Sequence, residues 1–217
     1  MRYALAAAAL IVTGCATGSG AEIAPIAAAP AAATPIADAP IAVPAGAYAL
    51  DPRHTSVVFR IRHMGLSLYT ARFDKAAGVI TLDPAAPSKS TVDATVDVAS
   101  VSTGLRDKDG KLSFDGEIAK ALGVEKTPQL RFVSKSVTRT GEKTGLVEGD
   151  LTMNGVTKPA TMEVTFEDGK VSPLSGKMVV GFGGRMVIKR SDWGATQWAL
   201  FAGDEVEILI QTEANKS

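Results

Sequence analysis

The chain has 217 residues, and its 23 Lys and Arg balance 23 Asp and Glu, so the formal net charge is zero. Without a positive excess, or a basic tract interleaved with aromatic residues, the sequence does not indicate a nucleic-acid partner. Two histidines, one cysteine and no CxxC or HExxH motif leave little material for a zinc site, and we expect no metal ion.

Residues 1–14 have the pattern of a bacterial export signal. Arg2 supplies a minimal positive charge, and Tyr3–Val12 form an apolar run that is too short to cross a bilayer. The run leads into "IVTGC", which looks like a lipobox, with cleavage after Gly14 and lipidation of Cys15. The alternative interpretation is an ordinary secretory signal followed by an incidental cysteine.

Lipidation of Cys15 would attach the protein to a membrane through its acyl chains. It would also account for a lone thiol in an oxidising compartment. Ala16 stands where an aspartate would suggest retention in the inner membrane. We therefore expect an outer-membrane lipoprotein on the periplasmic side of the cell envelope.

A composition change divides residues 15–46 from the rest of the chain. This segment is rich in alanine, and its prolines at positions 25, 30, 35, 40 and 44 prevent a long helix. We predict a disordered tether with polyproline character. Residues 47–217 then form one folded domain, long enough for a full hydrophobic core.

Alternating apolar and polar residues dominate that domain. In "TSVVFRIRH", for example, one face carries Val57, Phe59, Ile61 and His63. About eight such segments, separated by regular turn residues, predict antiparallel strands with one solvent-facing side. The pattern indicates a sandwich or a barrel and argues against a parallel α/β sheet.

The segment from Val147 to Phe166 predicts a hairpin with an unusual side chain on its apolar face. Asn154 and Gly155 tolerate the positive φ angles of a two-residue turn. That turn places Lys158 opposite an apolar residue of the preceding strand and among inward-facing apolar side chains.

Two segments do not follow simple alternation. "KLSFDGEIAKALGVEK" spaces its apolar residues as a short helix would, and we predict a helix that covers one end of the sheet. "GFGG" at residues 181–184 precedes a strand-like sequence and not a helix, which excludes a phosphate-binding loop. Glycines within a strand indicate a bulge or the curvature that closes a barrel.

Several segments in order resemble the YceI-like (polyisoprenoid-binding) family. They are "YALDPRHTSVVFRIRHMGLS", "ITLDP", "VDVASVSTG", "GDLTMNGVTKPATMEV", "IKRSDWGA" and "GDEVEILIQTEA". The resemblance implies an all-β, antiparallel lipocalin-like barrel of about eight strands with a short helix at one end. It also implies a periplasmic protein that holds an isoprenoid, a quinone or another long-chain lipid and needs no other cofactor.

The sequence departs from the family pattern ahead of the predicted helix. "KDGKL" occupies the place of Arg-Asp-x-His-Leu, which puts Lys111 in the histidine position. Alignment of Arg106 and Asp107 with the family's Arg-Asp is a competing possibility. The family's double phenylalanine is replaced by "SFDGEIAKALGVEKTP". The family resemblance therefore does not determine the geometry of the predicted helix that covers this end of the sheet.

The candidate ligand-binding residues fall into a polar and an apolar set. Five polar residues are candidates for the ligand head group: Lys158, His63, His54, Arg190 and Asp192. Each also has a structural explanation, because Lys158 suits a barrel rim and a histidine commonly makes a structural hydrogen bond. For Arg190 and Asp192, we expect an ion pair with each other that caps the barrel. The two histidines are nine residues apart in one predicted strand, roughly 30 Å, so they cannot reach one small head group unless the strand bends. Eight apolar residues at inward-facing strand positions are predicted to line the ligand cavity: Val57, Phe59, Ile61, Phe132, Val164, Phe166, Phe182 and Val206. Ordinary packing in a hydrophobic core would explain apolar residues at these positions equally well.

Two other classes of function compete with lipid binding. A hydrolase would need a nucleophile, a base and an oxyanion hole, but no Gly-x-Ser-x-Gly motif occurs and Cys15 precedes the folded domain. We therefore expect that this protein is not an enzyme. An envelope-structural or stress-related module with a filled barrel is the other alternative, and pairing of two copies into a homodimer is possible.

Overall fold

The inner faces of ten antiparallel strands supply most of the buried apolar residues in the computed structural model, which describes residue 26 and residues 33–217. One short α-helix interrupts the strands, as predicted. The elements are β1 (Gly46–His63), β2 (Ser67–Phe73), β3 (Ala76–Leu82), β4 (Thr91–Asp97), β5 (Val101–Ser102), α1 (Asp115–Ala121), β6 (Gln129–Arg139), β7 (Thr144–Met153), β8 (Val156–Val171), β9 (Met178–Lys189) and β10 (Ala202–Lys216).

The strands close into a barrel with eight positions around its wall. Their order is β1, β3, β4, β6, β7, β8, β9 and β10, and pairing of β10 with β1 completes the ring. The first part of β1 pairs with β3 and its second part pairs with β2, so β2 and β3 share one position in the wall. Likewise, β4 pairs with β3 and β5 pairs with β2, so β4 and β5 share the next position. The predicted antiparallel barrel of about eight strands is therefore confirmed.

The β7–β8 hairpin has the register that its turn sequence predicts. Asn154 and Gly155 have φ angles of 51° and 75°, which is the left-handed conformation of a two-residue turn. Leu151 lies directly opposite Lys158. Because directly opposed residues project from the same face of a sheet, Lys158 shares the inward face with the buried Leu151.

The barrel has two distinct ends. At the helix end, β1 finishes at His63 and α1 packs its buried Ala119 against the core residues of that end. A seven-residue helix is too short to be stable alone, so this packing holds it in place. The carboxylate of Asp115 in its first turn also accepts hydrogen bonds from the backbone and hydroxyl of Thr103.

At the other end, where β1 begins, residues 36–44 cross the barrel, and we call this segment the strap. The Ile36 N–H donates to the Arg139 carbonyl at 2.9 Å, and the Arg139 guanidinium donates back to the carbonyl of Ala37 at 2.7 Å. The Ile41 N–H donates to a β3–β4 loop carbonyl at 2.9 Å. Val43 is buried within the core cluster of this end.

The prediction of a disordered tether is wrong for the strap. The prolines do prevent a helix, but the segment keeps N–H and C=O groups that can form hydrogen bonds and apolar side chains at Ile41 and Val43. Those groups pair with and pack against the barrel end without forming regular secondary structure. Cys15, the export signal and most of the predicted tether lie outside the described residues.

Candidate ligand-binding cavity

The inward faces of the strands enclose two adjoining apolar chambers. The main chamber, at the helix end, has a volume of about 470 Å³, within the usual range for ligand sites. The second chamber, of about 180 Å³, lies beneath the strap, and Ile41 forms part of its wall. The interior of this barrel is therefore not filled by its own side chains.

Five residues border both chambers, and we call them the waist. They come from five different strands of the wall: Leu50, Ala94, Phe132, Met162 and Ile210. A glycine makes room beside them, because a Cβ at Gly184 would lie 2.9 Å from the Met162 sulfur. The waist therefore contains both small and flexible side chains, and a chain-like ligand could pass from one chamber to the other.

The structure places every predicted lining residue on a chamber wall. Val57, Phe59, Ile61 and Val206 line the main chamber. Val164, Phe166 and Phe182 line the second chamber, where the last two rings lie 5.4 Å apart, and Phe132 lines both. That these side chains contact a ligand remains a prediction.

Arg190 builds the mouth of the main chamber. Its side chain is buried, and its Nε donates to the Gly203 carbonyl at 2.8 Å. The remaining guanidinium nitrogens donate to three further backbone carbonyls, those of Ala195, Gln197 and Ala202. The residue thus holds segment 195–203 in the loop that borders the mouth, and its donors are engaged with the backbone.

The predicted pairing of Arg190 with Asp192 is wrong. The backbone carbonyls take the arginine's donors, and Asp192 lies instead 3.9 Å from the Lys158 ammonium. The side chains of Lys158 and Asp192 are 44% and 52% exposed. Lys158 is therefore a rim residue with a carboxylate neighbour, and it is not among the residues that line either chamber.

The two histidines lie in different parts of β1: His63 is its last residue, and His54 lies near the middle of the strand. His63 is exposed at the mouth of the main chamber. His54 is also exposed, and its Nδ1 lies 3.1 Å from the buried Asp51 carboxylate near the strap end. The structure does not bring them together, so one head group cannot contact both.

Asp51 has a pKa well below the usual value for an aspartate. Hydrogen bonds from the Arg53 side chain contribute most, and the Arg53 backbone N–H, His54 and Asn215 add to the effect against the opposing influence of burial. The carboxylate thereby holds the start of the irregular stretch where β1 shifts register against β10. This role is structural, since Asp51 lines neither chamber.

Sequence reasoning missed several residues at the mouth of the main chamber. Phe114 and Trp198 line it and stack with ring centres 5.5 Å apart. Both lie in irregular segments, where no periodicity marks an inward side chain. Tyr69 also lines the main chamber, and the alternation in "SLYTARF" could have revealed it, because β2 is a regular strand.

The part of the chain that the structure describes contains neither a candidate metal site nor a candidate membrane-spanning helix. Among those residues, no group of three or more His, Cys, Asp or Glu side chains is placed to hold a metal ion. Residue 26 and residues 33–217 likewise contain no helix long and apolar enough to cross a membrane.

Comparison with known proteins shows the family. The family model described as the YceI-like domain matches residues 48–214. This chain belongs to the YceI-like family. Curated relatives include the UPF0312 protein of Serratia proteamaculans and Protein YceI of Salmonella arizonae, each 36% identical over 171 residues, with 78% of this chain and 86% of the relative covered.

Solved structures of similar proteins have the same barrel. Campylobacter jejuni YceI protein is 27% identical, with a TM-score of 0.59 over 70% of this chain and 87% of that one. Burkholderia cenocepacia BcnA, at 24% identity and a TM-score of 0.64, aligns over 76% of this chain and 99% of its own. A polyisoprenoid binding domain from Saccharophagus degradans, at 17% identity and a TM-score of 0.58, covers 79% and 99%. The last two likenesses concern the fold alone.

The loop that departs from the YceI-like pattern lies outside the barrel wall. Within residues 105–113, the Asp107 carboxylate accepts the backbone N–H groups of Asp109 and Lys111 at 2.9 Å. Lys111, in the position of the family's histidine, is exposed. The loop leads directly into Phe114 at the mouth. The segment that follows, which also departs from the family pattern, contributes Phe114, Ile118, Ala121 and Leu122 to the wall of the main chamber, so the departure affects the entrance end of that chamber.

Proposed function

We propose that this chain binds a long apolar lipid, such as a polyisoprenoid, a quinone or a fatty-acid-like molecule, inside its barrel for storage or transport in the cell envelope. The observation that carries the proposal is the pair of adjoining apolar chambers with a shared waist. The likeness of the fold to the polyisoprenoid binding domain from Saccharophagus degradans agrees with it.

The chemistry of the walls favours a hydrocarbon chain. Transfer of each methylene from water into such a chamber contributes about 0.8 kcal/mol. A chain that fills both chambers therefore gains affinity along its whole length without specific polar contacts. A filled, purely structural barrel would not retain this interior space, because empty volume costs packing energy.

Of the polar candidates, His63 is the best placed to meet a head group at the mouth of the main chamber. Arg190 reaches the same chamber, but its donors hold the backbone of segment 195–203. Lys158 and Asp192 neighbour each other at the rim, and His54 lies near the middle of β1, beside Asp51 and outside both chambers. We therefore propose head-group contact at His63 and structural roles for the other four residues.

Two further parts of the proposal concern the environment of the protein. We propose that Cys15 carries acyl chains that hold the barrel on the periplasmic side of the outer membrane, on the strength of the "IVTGC" sequence. A homodimer remains a prediction of the family resemblance. Neither part is needed for lipid binding by the barrel itself.

The test is to purify the full chain from a bacterial envelope, extract it with organic solvent and identify the extract by mass spectrometry. We expect one apolar lipid in an amount close to that of the protein, since a barrel of eight strands holds one small ligand. Absence of any lipid, together with failure to take up added lipids, would contradict the proposal and favour the structural module.

A further inference from the structure

Tyr69 carries an unusual polar atom in the wall of the main chamber. It lies in β2 directly opposite Ile61 of β1, and both residues line the chamber. Its hydroxyl oxygen is buried. Among the residues that the structure describes, it is the one buried side-chain nitrogen or oxygen with no hydrogen-bond partner.

Such an atom calls for a specific explanation. Burial of a hydroxyl without a hydrogen bond is unfavourable, and the great majority of buried polar atoms in proteins are paired. The fully buried Tyr48 follows this rule, because its hydroxyl donates to the Pro44 carbonyl at 2.7 Å. An exception within the wall of a ligand chamber points to a partner that the ligand supplies.

We propose that the Tyr69 hydroxyl anchors the ligand, and that the ligand carries a neutral oxygen, as in a quinone carbonyl or an alcohol. This inference rests on the proposed function and specifies the head group. A tyrosine hydroxyl can donate to a carbonyl and can both donate to and accept from an alcohol.

The charges around the chamber favour a neutral head group at this depth. The basic residues that line the main chamber are His63 and two arginines. His63 lies at the exposed mouth, above Tyr69, and both arginines are engaged elsewhere. Arg190 donates to backbone carbonyls, and Arg131 forms a two-point pair with the exposed Asp93 carboxylate, at 2.6 and 2.9 Å. A phosphate or carboxylate beside Tyr69 would be a buried charge without a compensating cation, which is costly.

The position of Tyr69 also orients the ligand. It is two residues further along β2 than Ser67, which lies at the mouth, a distance of about 6–7 Å along a strand. An oxygen bound there lies below the rim, and the attached hydrocarbon chain then extends past the waist toward the second chamber.

The test compares the affinities of two proteins for two ligands. The full chain carrying Cys15→Ser, freed of bound lipid by solvent extraction, is compared with its Tyr69→Phe variant. The ligands are decyl-benzoquinone and decylbenzene, which share the decyl chain and a six-membered carbon ring, whereas the quinone alone carries carbonyl oxygens. Affinity is measured by displacement of the dye N-phenyl-1-naphthylamine. We expect Tyr69→Phe to weaken quinone binding about tenfold, the scale of one hydrogen bond, and to leave decylbenzene unchanged.

Tyr48→Phe is the matched control, because it removes the hydrogen-bonded hydroxyl of a fully buried tyrosine that lies outside both chambers. It should lower thermal stability through loss of the Pro44 bond, with the same quinone-to-decylbenzene affinity ratio as the parent chain. Tyr69→Phe should leave the ligand-free thermal stability unchanged or raise it, since the lost hydroxyl has no protein partner.

Three results would overturn the inference. The first is an unchanged affinity ratio in Tyr69→Phe although both ligands bind, and here the proposed function survives. The second is a loss of ligand-free stability in Tyr69→Phe as large as in Tyr48→Phe, which would assign the hydroxyl a structural role. The third is the failure of the parent chain to bind either ligand, which would overturn the proposed function as well.

Discussion

Gly169 of β8 and Val43 of the strap fit together so closely that a Cβ at position 169 would lie 2.3 Å from the Val43 Cγ1. Real β-carbons essentially never come within 3 Å of another heavy atom, so a side chain at 169 forces Val43 to move. Gly169 pairs with the fully buried Val180, and Val43 packs in the same core cluster. This contact holds the strap in place over the second chamber.

Gly169→Ala should therefore loosen the strap. The added methyl overpacks the contact between residue 169 and Val43, and we expect a loss of about 1–3 kcal/mol in the free energy of unfolding. The amide of Ile41, which donates to a loop carbonyl when the strap is seated, should exchange its hydrogen faster. Hydrogen exchange followed by mass spectrometry measures this directly.

The double variant Gly169→Ala, Val43→Ala serves as the control. The new methyl then takes space that the Val43 methyl group vacates, so the two changes should cost less together than the sum of their separate effects. Additive losses, or unchanged exchange at Ile41 in Gly169→Ala, would show that this contact does not hold the strap.

The lowered pKa of Asp51 makes part of the stability depend on pH. A carboxyl whose pKa is lower in the folded than in the unfolded state stabilises the fold above its unfolded pKa of about 3.9 and loses that contribution as pH falls toward the folded value. The bonds from Arg53 are the main cause of the lowering. The free energy of unfolding should therefore decrease as pH drops below about 4.

Asp51→Asn should lower the free energy of unfolding at pH 7 by about 1–3 kcal/mol, because it replaces a charged acceptor of several hydrogen bonds. It should also reduce the loss of stability between pH 5 and pH 3, which urea unfolding at each pH measures. Asp109→Asn changes the same charge at an exposed site and is the control. An acid dependence identical in Asp51→Asn and the parent chain would reject this role for Asp51.

Lys158→Met should have little effect on ligand preference. The Lys158 ammonium lies 3.9 Å from Asp192 in an exposed pair, and such pairs contribute at most about 1 kcal/mol. We expect the variant to fold and to discriminate between a prenyl diphosphate and its alcohol as the parent chain does. A competition assay in which the variant alone loses preference for the diphosphate would place the ammonium in the ligand site.

Cys15→Ser tests the proposed anchor separately from the barrel. The substitution removes the thiol that the lipobox interpretation assigns to lipidation, so the variant should remain unprocessed or soluble with its barrel intact. Metabolic labelling with palmitate makes the measurement. Label retained by the serine variant would reject lipidation at this residue.

The barrel and one of its registers could be predicted from the sequence because alternation is a local signal. Asn154-Gly155 determines which residues oppose each other in the β7–β8 hairpin, and the structure has that pairing. The inward sets of β1, β8 and β9 follow from parity in the same way. These features depend on spacing along a single segment, which the sequence displays directly.

The other features of the fold and of the site depend on contacts between residues that are distant in the sequence, and the sequence does not show which residues meet. Arg190 binds backbone carbonyls, and nothing in the sequence distinguishes those acceptors from any others. The strap is ordered by contacts with Arg139 and Gly169, more than 90 residues away along the chain, whereas its prolines and alanines locally indicate disorder. Only the packed structure reveals that the Tyr69 hydroxyl lacks a partner.

Ala94 offers the most direct test of lipid binding within the barrel. It lies opposite Phe132 at the waist and borders both chambers, so Ala94→Trp should block the passage between them. Ala77→Trp places the same side chain on the exposed face of the neighbouring strand, away from both chambers, and is the matched control.

The decisive measurement is native mass spectrometry of the parent chain and both tryptophan variants, each purified from the same envelope. We expect a single long lipid on the parent chain and on Ala77→Trp, because an eight-stranded barrel holds one ligand. Ala94→Trp should carry much less lipid, or a shorter one, and remain folded. A parent chain without lipid, or Ala94→Trp carrying the same lipid in the same amount as the parent, would contradict lipid binding inside the barrel.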